Sequence, residues 1–296
     1  MRKKNKIKIL ILGGSGFIGS HVAEYLSSNP NYKITIADIQ NSPFFGGRFI
    51  KCNVLTPNEV DKVMKNQDYV YNFSGQADIA DSIKNPEKTI KVNILGMTNI
   101  LNSCVKHKIK RVIQASTVYV NSDSGGIYKT TKLACESLLK DFKSLYNLNY
   151  TILRFGSIYG PRANYFNFIS NAIDQALKSG KIIRAGKGEE IREYVHVYDV
   201  AQLCVTTLKE TYKNRIVNIT GNEKNKVKEI LNIIKSIMNN KIRINYIKDK
   251  KIESHYKITP YSIQKDTVKK ITANPFINIE QGIYELIKSK GKFDEK

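Results

Sequence analysis

The stretch ILGGSGFIGSHVAEYL, residues 11–26, joins an apolar run to a helical pattern, and its glycines decide how the rest of the chain is read. Gly14, Gly16 and Gly19 satisfy GxGxxG, while Gly13, Gly16 and Gly19 satisfy GxxGxxG. In such a turn one glycine makes the tight bend, one lets backbone approach a pyrophosphate, and one lets helix pack close on strand, with phosphates facing the positive helix N-terminus. A plain glycine-rich turn would need no more than this. Here a second apolar run follows and ends in IAD, which places Asp38 nineteen residues after Gly19. A carboxylate at that point can accept both hydroxyls of an adenosine ribose. It would repel a 2′-phosphate, and the IQNS that follows supplies no arginine to accept one, so NAD is favoured over NADP.

Outward from this turn, short runs rich in Ile and Val alternate with longer helical patterns from residue 6 to about 160. IKILIL, YKITIA, GRFIKC, DYVYNF, IKRVIQA and NYTILRF read as strands; residues 17–27, 57–64, 86–106 and 127–146 read as helices. That alternation predicts an α/β fold, a Rossmann-type doubly wound parallel sheet. Beyond Gly160 the pattern loosens. A helix near 166–178, strands at KIIRAG and RIVNIT, and helices near 226–238 and 279–289 suggest a smaller, partly interleaved C-terminal substrate lobe. The division expected is a cofactor domain over 1–160, also receiving segments near 190–220, and mainly a substrate-binding lobe over 161–296.

Composition narrows the function classes. With 296 residues and 41% apolar content the chain can bury a large core. Its apolar runs are far shorter than the roughly 20 residues that span a bilayer. The basic N-terminus only superficially resembles a signal peptide, since its apolar run breaks at Gly13 and Gly14 without a cleavage site. A cytoplasmic protein that makes no membrane contact is expected. Cys52, Cys104, Cys135 and Cys204 are scattered, without CxxC pairs or nearby histidines, so neither a metal site nor a disulfide framework is expected. The net charge of +22 invites nucleic acid, but the lysines run from end to end and form no recognisable module. An anionic small ligand suits the charge equally well.

A tyrosine four residues before a lysine occurs four times, at Tyr128/Lys132, Tyr246/Lys250, Tyr261/Lys265 and Tyr284/Lys288, where composition alone gives about two. Context selects Tyr128, which opens a helix after the fifth strand's AST. An i, i+4 pair shares a helix face, and a nearby ammonium is expected to pull the phenol from about 10 toward neutrality.

GGSGFIGSH, PEKTIKVNILGMTNIL, IQASTVYV, YKTTKLACE, LRFGSIYGPRA and REYVHVYDVA, in this order, resemble the extended short-chain dehydrogenases, the NAD-dependent epimerase/dehydratase family acting on nucleotide sugars. The resemblance covers the chain to about residue 220. It implies Thr117, Tyr128 and Lys132 as the catalytic set, with Ser116 beside them. It implies cofactor contacts from Gly13, Gly16, Phe17, Ile18 and Gly19, from Asp38, Asn53 and Val54, from Phe73, Ser74 and Gly75, and from Ala115, Tyr128 and Lys132. Gln76, Thr117, Ser157 and Arg192 would meet a nucleotide-diphosphate sugar. Asn53 stands where the family usually has Asp, and Ser157 where it usually has Asn. Asn93 matches a helix position of structural and water-binding importance, while His196 and Asp199 are expected to pack near the lobe junction. A homodimer through two helices of each subunit is implied by the resemblance alone.

The family oxidises a sugar hydroxyl, usually at C4. Dehydratases need an acid and a base right after the Ser/Thr, and here Val118 and Tyr119 stand there. C4 epimerisation through a 4-keto sugar is the leading expectation, with one-way oxidation or reduction at C4 as the alternative and a 4,6-dehydratase or a non-catalytic NAD sensor behind it. Only VYVNSDSGGI separates Thr117 from Tyr128, shorter than the family's loop, which suggests a more open sugar site.

Overall fold

The structure, a computed structural model, describes residues 6–248, 255–261 and 268–291. The glycine turn leads from β1 (Ile7–Leu12) into α1 (Phe17–Ser27), and β2 (Tyr32–Asp38) returns parallel to β1. The last four residues of β1 are fully buried, as in a strand covered on both faces. β3 (Arg48–Lys51), α2 (Pro57–Met64) and β4 (Tyr69–Asn72) follow. Proline at the start of α2 costs no hydrogen bond, because the first helical N–H groups have no intrahelical partner.

A short helix, α3 (Ile79–Lys84), is capped by the Asp78 carboxylate, which accepts the Ala80 and Asp81 N–H groups. The single helix expected over 86–106 is α4 (Pro86–Ile90), one π turn at Lys91–Leu95, and α5 (Gly96–Lys106). β5 (Arg111–Thr117) ends in a 3₁₀ turn, Val118–Asn121, before α6 (Gly126–Tyr146) and β6 (Tyr150–Phe155). Then come β7 (Ser157–Tyr159), α7 (Phe168–Ser179), β8 (Lys181–Ala185), β9 (Ile191–His196), α8 (Val197–Thr206), β10 (Arg215–Ile219) and β11 (Lys224–Lys226). The remaining elements are α9 (Val227–Ile237), β12 (Arg243–Ile247), β13 (Val268–Ile271) and α10 (Ile279–Lys290).

The main sheet has eight parallel strands in the order β3-β2-β1-β4-β5-β6-β10-β13. Its first six strands follow the order of doubly wound dinucleotide folds, and the order reverses between β1 and β4. One face buries Leu10, Leu12, Val60, Met64, Ile100 and Leu139 under α2, α5 and α6. The other buries Ile9, Ile11, Val22, Leu26, Val200 and Cys204 under α1 and α8. A third cluster packs α7, α9 and α10 around Ile173, Ile230, Ile234 and Ile283. The smaller sheets, β11-β9-β7 and β12-β8, belong to this region. No helix among the described residues is long and apolar enough to cross a membrane.

Candidate active site

At the switch point Gly13 has φ +73°, and a Cβ there would lie 2.6 Å from the Phe73 carbonyl carbon and the Ser74 nitrogen. A Cβ on Gly19 would lie 2.2 Å from the Gly13 oxygen, so α1 sits on the turn as closely as backbone allows. Asp38 closes one end. Its Oδ2 accepts the Ser15 N–H at 3.0 Å and its Oδ1 accepts the Ile39 N–H at 2.7 Å, which fixes the carboxylate at the rim.

A cleft of about 470 Å³ runs from there past Gly13 and Gly16, Asn53 and Val54, and Phe73 to Gln76. Phe17, Ile18 and Gly19 are not in its lining, and Ile18 packs against the apolar cluster between the sheet and α8. Asn53 is held by a local turn, its Oδ1 accepting the Leu55 N–H at 3.0 Å. A helix N-terminus, a fixed carboxylate and an elongated cleft at the strands' C-terminal ends are what a dinucleotide requires, so the residues present fit NAD.

The loop after β4 is tied down from beneath. Asn72 accepts the Ser74 N–H at 3.1 Å and donates to Gln114 at 2.8 Å. Asn93, on the π turn, accepts the Gln76 N–H at 2.8 Å, donates to the Gln76 carbonyl at 3.1 Å and to the Thr131 hydroxyl at 2.9 Å. It thereby clamps this loop to α6. A π turn re-aims one side chain without breaking a helix, which is what the clamp needs. Gln76, expected to meet the sugar, lines the cleft next to Gly75, and its amide donates to Asp81.

Across the cleft β5 presents Ser116 and Thr117 on alternate faces. Ser116 donates to Glu136 at 2.6 Å and is buried. Thr117 hydrogen-bonds the half-buried Tyr128 phenol. Lys132, one turn on, is buried; its amine donates to the Ala115 carbonyl at 3.1 Å and stands 3.5 Å from where a Gly75 Cβ would be. Lys132 thus reaches the cofactor loop at Gly75, one helical turn from Tyr128, whose phenol neighbours Thr117.

One expectation fails. Lys132 lies 5.9 Å from the centre of the Tyr128 ring, and burial rather than the ammonium dominates the phenol, pushing it up to about 12 against the opposing Thr117 hydrogen bond. Burial also lowers the Lys132 pKa.

Beyond Tyr128 a second cavity, about 250 Å³, is lined by Tyr119, Ser157, Arg192, His255 and Tyr256 among others. Arg192 is buried with its guanidinium 4.1 Å from the centre of the Tyr256 ring. The Ser157 and Tyr256 hydroxyls are 3.3 Å apart, and the Tyr119 hydroxyl is 2.7 Å from His255 Nδ1. On this wall Tyr119, from the short loop, meets His255 and Tyr256. The sequence reading missed those two, since no motif marks them and they lie in the Lys-rich final third.

His196 caps α8, its Nδ1 accepting the Tyr198 N–H at 3.3 Å, and Asp199 accepts the Ile277 N–H at 3.0 Å. Both pack between β9, α8 and the C-terminal segment, as expected. Of the rival tyrosine–lysine pairs, Tyr284 and Lys288 lie on α10, whereas Lys250 and Lys265 fall outside the described residues.

A dinucleotide cleft at the switch point of a parallel sheet, opening onto Thr, Tyr and Lys, marks an oxidoreductase of the short-chain dehydrogenase class. The chain belongs to the NAD dependent epimerase/dehydratase family, which matches residues 9–220. It is 30% identical over 305 residues to a putative UDP-glucose 4-epimerase of Methanocaldococcus jannaschii, covering 94% of this chain and 97% of that one. It is 26% identical to a UDP-N-acetyl-alpha-D-glucosaminuronate decarboxylase of Bacillus cytotoxicus, covering 95% and 97%. Among solved structures, the UDP-glucuronic acid 4-epimerase of Bacillus cereus in complex with UDP-glucuronic acid and NAD superposes with a TM-score of 0.83 at 23% identity, covering 96% and 99%.

Proposed function

We propose that this protein is an NAD-dependent epimerase that inverts C4 of a UDP-sugar by transient oxidation to the 4-keto sugar. The observation that carries the reading is Lys132 reaching the cofactor loop at Gly75, with Tyr128 one turn before it and Thr117 beside Tyr128, while the next two positions after Thr117 offer no proton shuttle: Val118 is fully buried and Tyr119 has its phenol pushed well up by burial. Without an acid and a base there, water elimination has no route near neutral pH. The M. jannaschii relative and the B. cereus neighbour, a putative UDP-glucose 4-epimerase and a UDP-glucuronic acid 4-epimerase, support the same reaction.

NAD, held by the glycine turn, Asp38 and the loop from Phe73 to Gly75, supplies a hydride acceptor and donor for the sugar carbon. The chain's own residues handle the proton. Thr117 holds the C4 oxygen in hydrogen-bond reach of Tyr128, which takes the hydroxyl proton as the ketone forms and returns it after the sugar has turned over its other face. Lys132 orients the cofactor ribose and contributes positive charge. Arg192, its plane fixed by Tyr256, grips the diphosphate. Ser157 and Tyr119 bound the sugar. Residues 6–160, with α8, β10 and β13 from later in the chain, form the cofactor domain, and the remainder mainly the substrate lobe. Exposed Leu95 and Leu133, beside and on the helices that pair in such enzymes, support a homodimer, and four reduced buried thiols suit the cytoplasm.

The test is to incubate the NAD-loaded protein with UDP-glucose, UDP-N-acetylglucosamine and UDP-glucuronic acid and to follow C4 configuration by NMR. Inversion with no lasting absorbance near 340 nm is expected. A stable 4-keto product with accumulating reduced cofactor would replace epimerisation by one-way oxidation.

A further inference from the structure

At the opposite pole of the sheet lies a second anion-shaped cavity. Alternate residues of β1, β2 and β3 face α2, and near the strands' C-terminal ends they are apolar: Leu10 and Leu12, Ala37, Ile50. Toward the N-terminal ends the same rows turn cationic, to Lys8, Lys33 and Arg48, with the Thr35 hydroxyl among them. α2 stops short of this end and brings Lys62 and Lys65 to the rim. The result is a notch of about 250 Å³ with five cations and no acid or aromatic in its lining.

Three observations show that this is more than a lysine-rich surface. The parallel register sets Lys8 directly beside Lys33, and Thr35 beside Arg48, so like charges are neighbours on one face, an arrangement that costs stability unless something lies between them. Among the described residues none of the five side chains forms an ion pair; the Asp68 carboxylate that accepts the Lys8 N–H already pairs with Lys110 at 2.9 Å. Gln67, on the same wall, has a buried amide oxygen without a hydrogen-bond partner, and turning the amide would present its N–H groups instead.

We infer that this notch binds a compact anion carrying a diphosphate group. A single phosphate would leave most of the five charges unbalanced. Nucleic acid would need an extended track of cations, and single strands an aromatic platform, whereas this site is concave and lined by polar groups alone. Along β1 the notch at Lys8 and the cofactor cleft at Gly13 lie roughly 16 Å apart at about 3.3 Å per residue, with the buried Leu10 and Leu12 between them, so a compact diphosphate in one does not fill the other.

The test is calorimetric titration of inorganic pyrophosphate into the full chain, into Lys33→Gln/Arg48→Gln, into Lys62→Gln/Lys65→Gln and into Arg192→Gln. Binding should weaken at least tenfold in each double variant and persist in Arg192→Gln. UDP and ADP titrated in the same way separate a free diphosphate from a nucleotide source. Without ligand, Lys33→Gln/Arg48→Gln should melt no lower than the parent, because repulsion is relieved. Pyrophosphate binding lost only in Arg192→Gln, or absent from the parent, would overturn the inference. So would a 20-mer oligonucleotide bound through these lysines and not displaced by pyrophosphate.

Discussion

Replacing Glu136 with alanine should unfasten the helix that carries Tyr128 and Lys132. Glu136 lies one turn beyond Lys132 and is 1% exposed; it takes Arg154 Nε at 2.9 Å, Arg154 Nη2 at 2.7 Å and the Ser116 hydroxyl at 2.6 Å. One carboxylate therefore ties α6 to β5 and β6, the elements that set the distance between Thr117 and Tyr128. Removing it strands a buried guanidinium, a loss of about 3–5 kcal/mol. At about 2.1 cal/mol/K per residue, a chain of 296 residues melts about 1.6 °C lower per kcal/mol, so Tm should fall by roughly 5–8 °C. Turnover should fall as well, by about tenfold to a hundredfold, since a displacement near 1 Å is enough for that. NAD affinity, set at the Asp38 end, should hardly change. Glu136→Leu combined with Arg154→Met should recover most of the stability, because both charges leave together. Denaturant unfolding and steady-state kinetics on the same samples decide the matter. A Glu136→Ala protein within about 1 kcal/mol of the parent would refute the argument.

Tyr128→Phe should keep the fold and bind NAD while lowering kcat by about 10²–10⁴, read by NMR turnover; an active variant would remove Tyr128 from the reaction. Because burial pushes the Tyr128 phenol up to about 12, the base form is the minor one at neutral pH, and kcat/KM should climb as pH rises from about 6 to 8; a flat profile would point to another base. Asp38→Asn should weaken NAD by about 10- to 100-fold in calorimetry while NADP gains relative to it, since a charge-assisted bond is worth about 1.5–3 kcal/mol. His196 is buried neutral with its pKa lowered to about 4 by burial, so the unfolded chain binds the proton first. Stability present above about 6.5 should be lost as pH falls toward 4, by about 3 kcal/mol in total. His196→Asn, which keeps a capping acceptor for α8, should flatten that part of the pH–stability curve; an unchanged slope would exclude His196 as its source.

The first half of the chain was legible because its signals are local and physical. A glycine turn between an apolar run and a helix, and prolines at the starts of α2 and α4, mark boundaries that tertiary packing does not move. The π turn at Lys91–Leu95 left no trace, since its residues fit an ordinary helix and only the Asn93 clamp needs the extra residue. α3 was too short to show a period. β12 and β13 carry Arg and Lys at positions that face solvent on edge strands, so neither an apolar run nor a clean alternation announces them. At the site, Thr117, Tyr128 and Lys132 were readable from order along the chain. His255 and Tyr256 were not, because their place beside Tyr119 and Arg192 is created by folding across more than sixty residues.

The way β10 and β13 complete the main sheet has a consequence for synthesis. When the ribosome has released β6, the sheet's newest strand has an unpaired edge, and its partner β10 arrives only after α7, β8, β9 and α8 have been made. β10 in turn waits for β13, near the end of the chain. At about 5–20 residues per second the nascent protein keeps an open, apolar edge for on the order of ten seconds. Early termination between the two strands would leave that edge permanently uncovered, so such fragments should aggregate or be degraded rather than persist as free cofactor-binding domains.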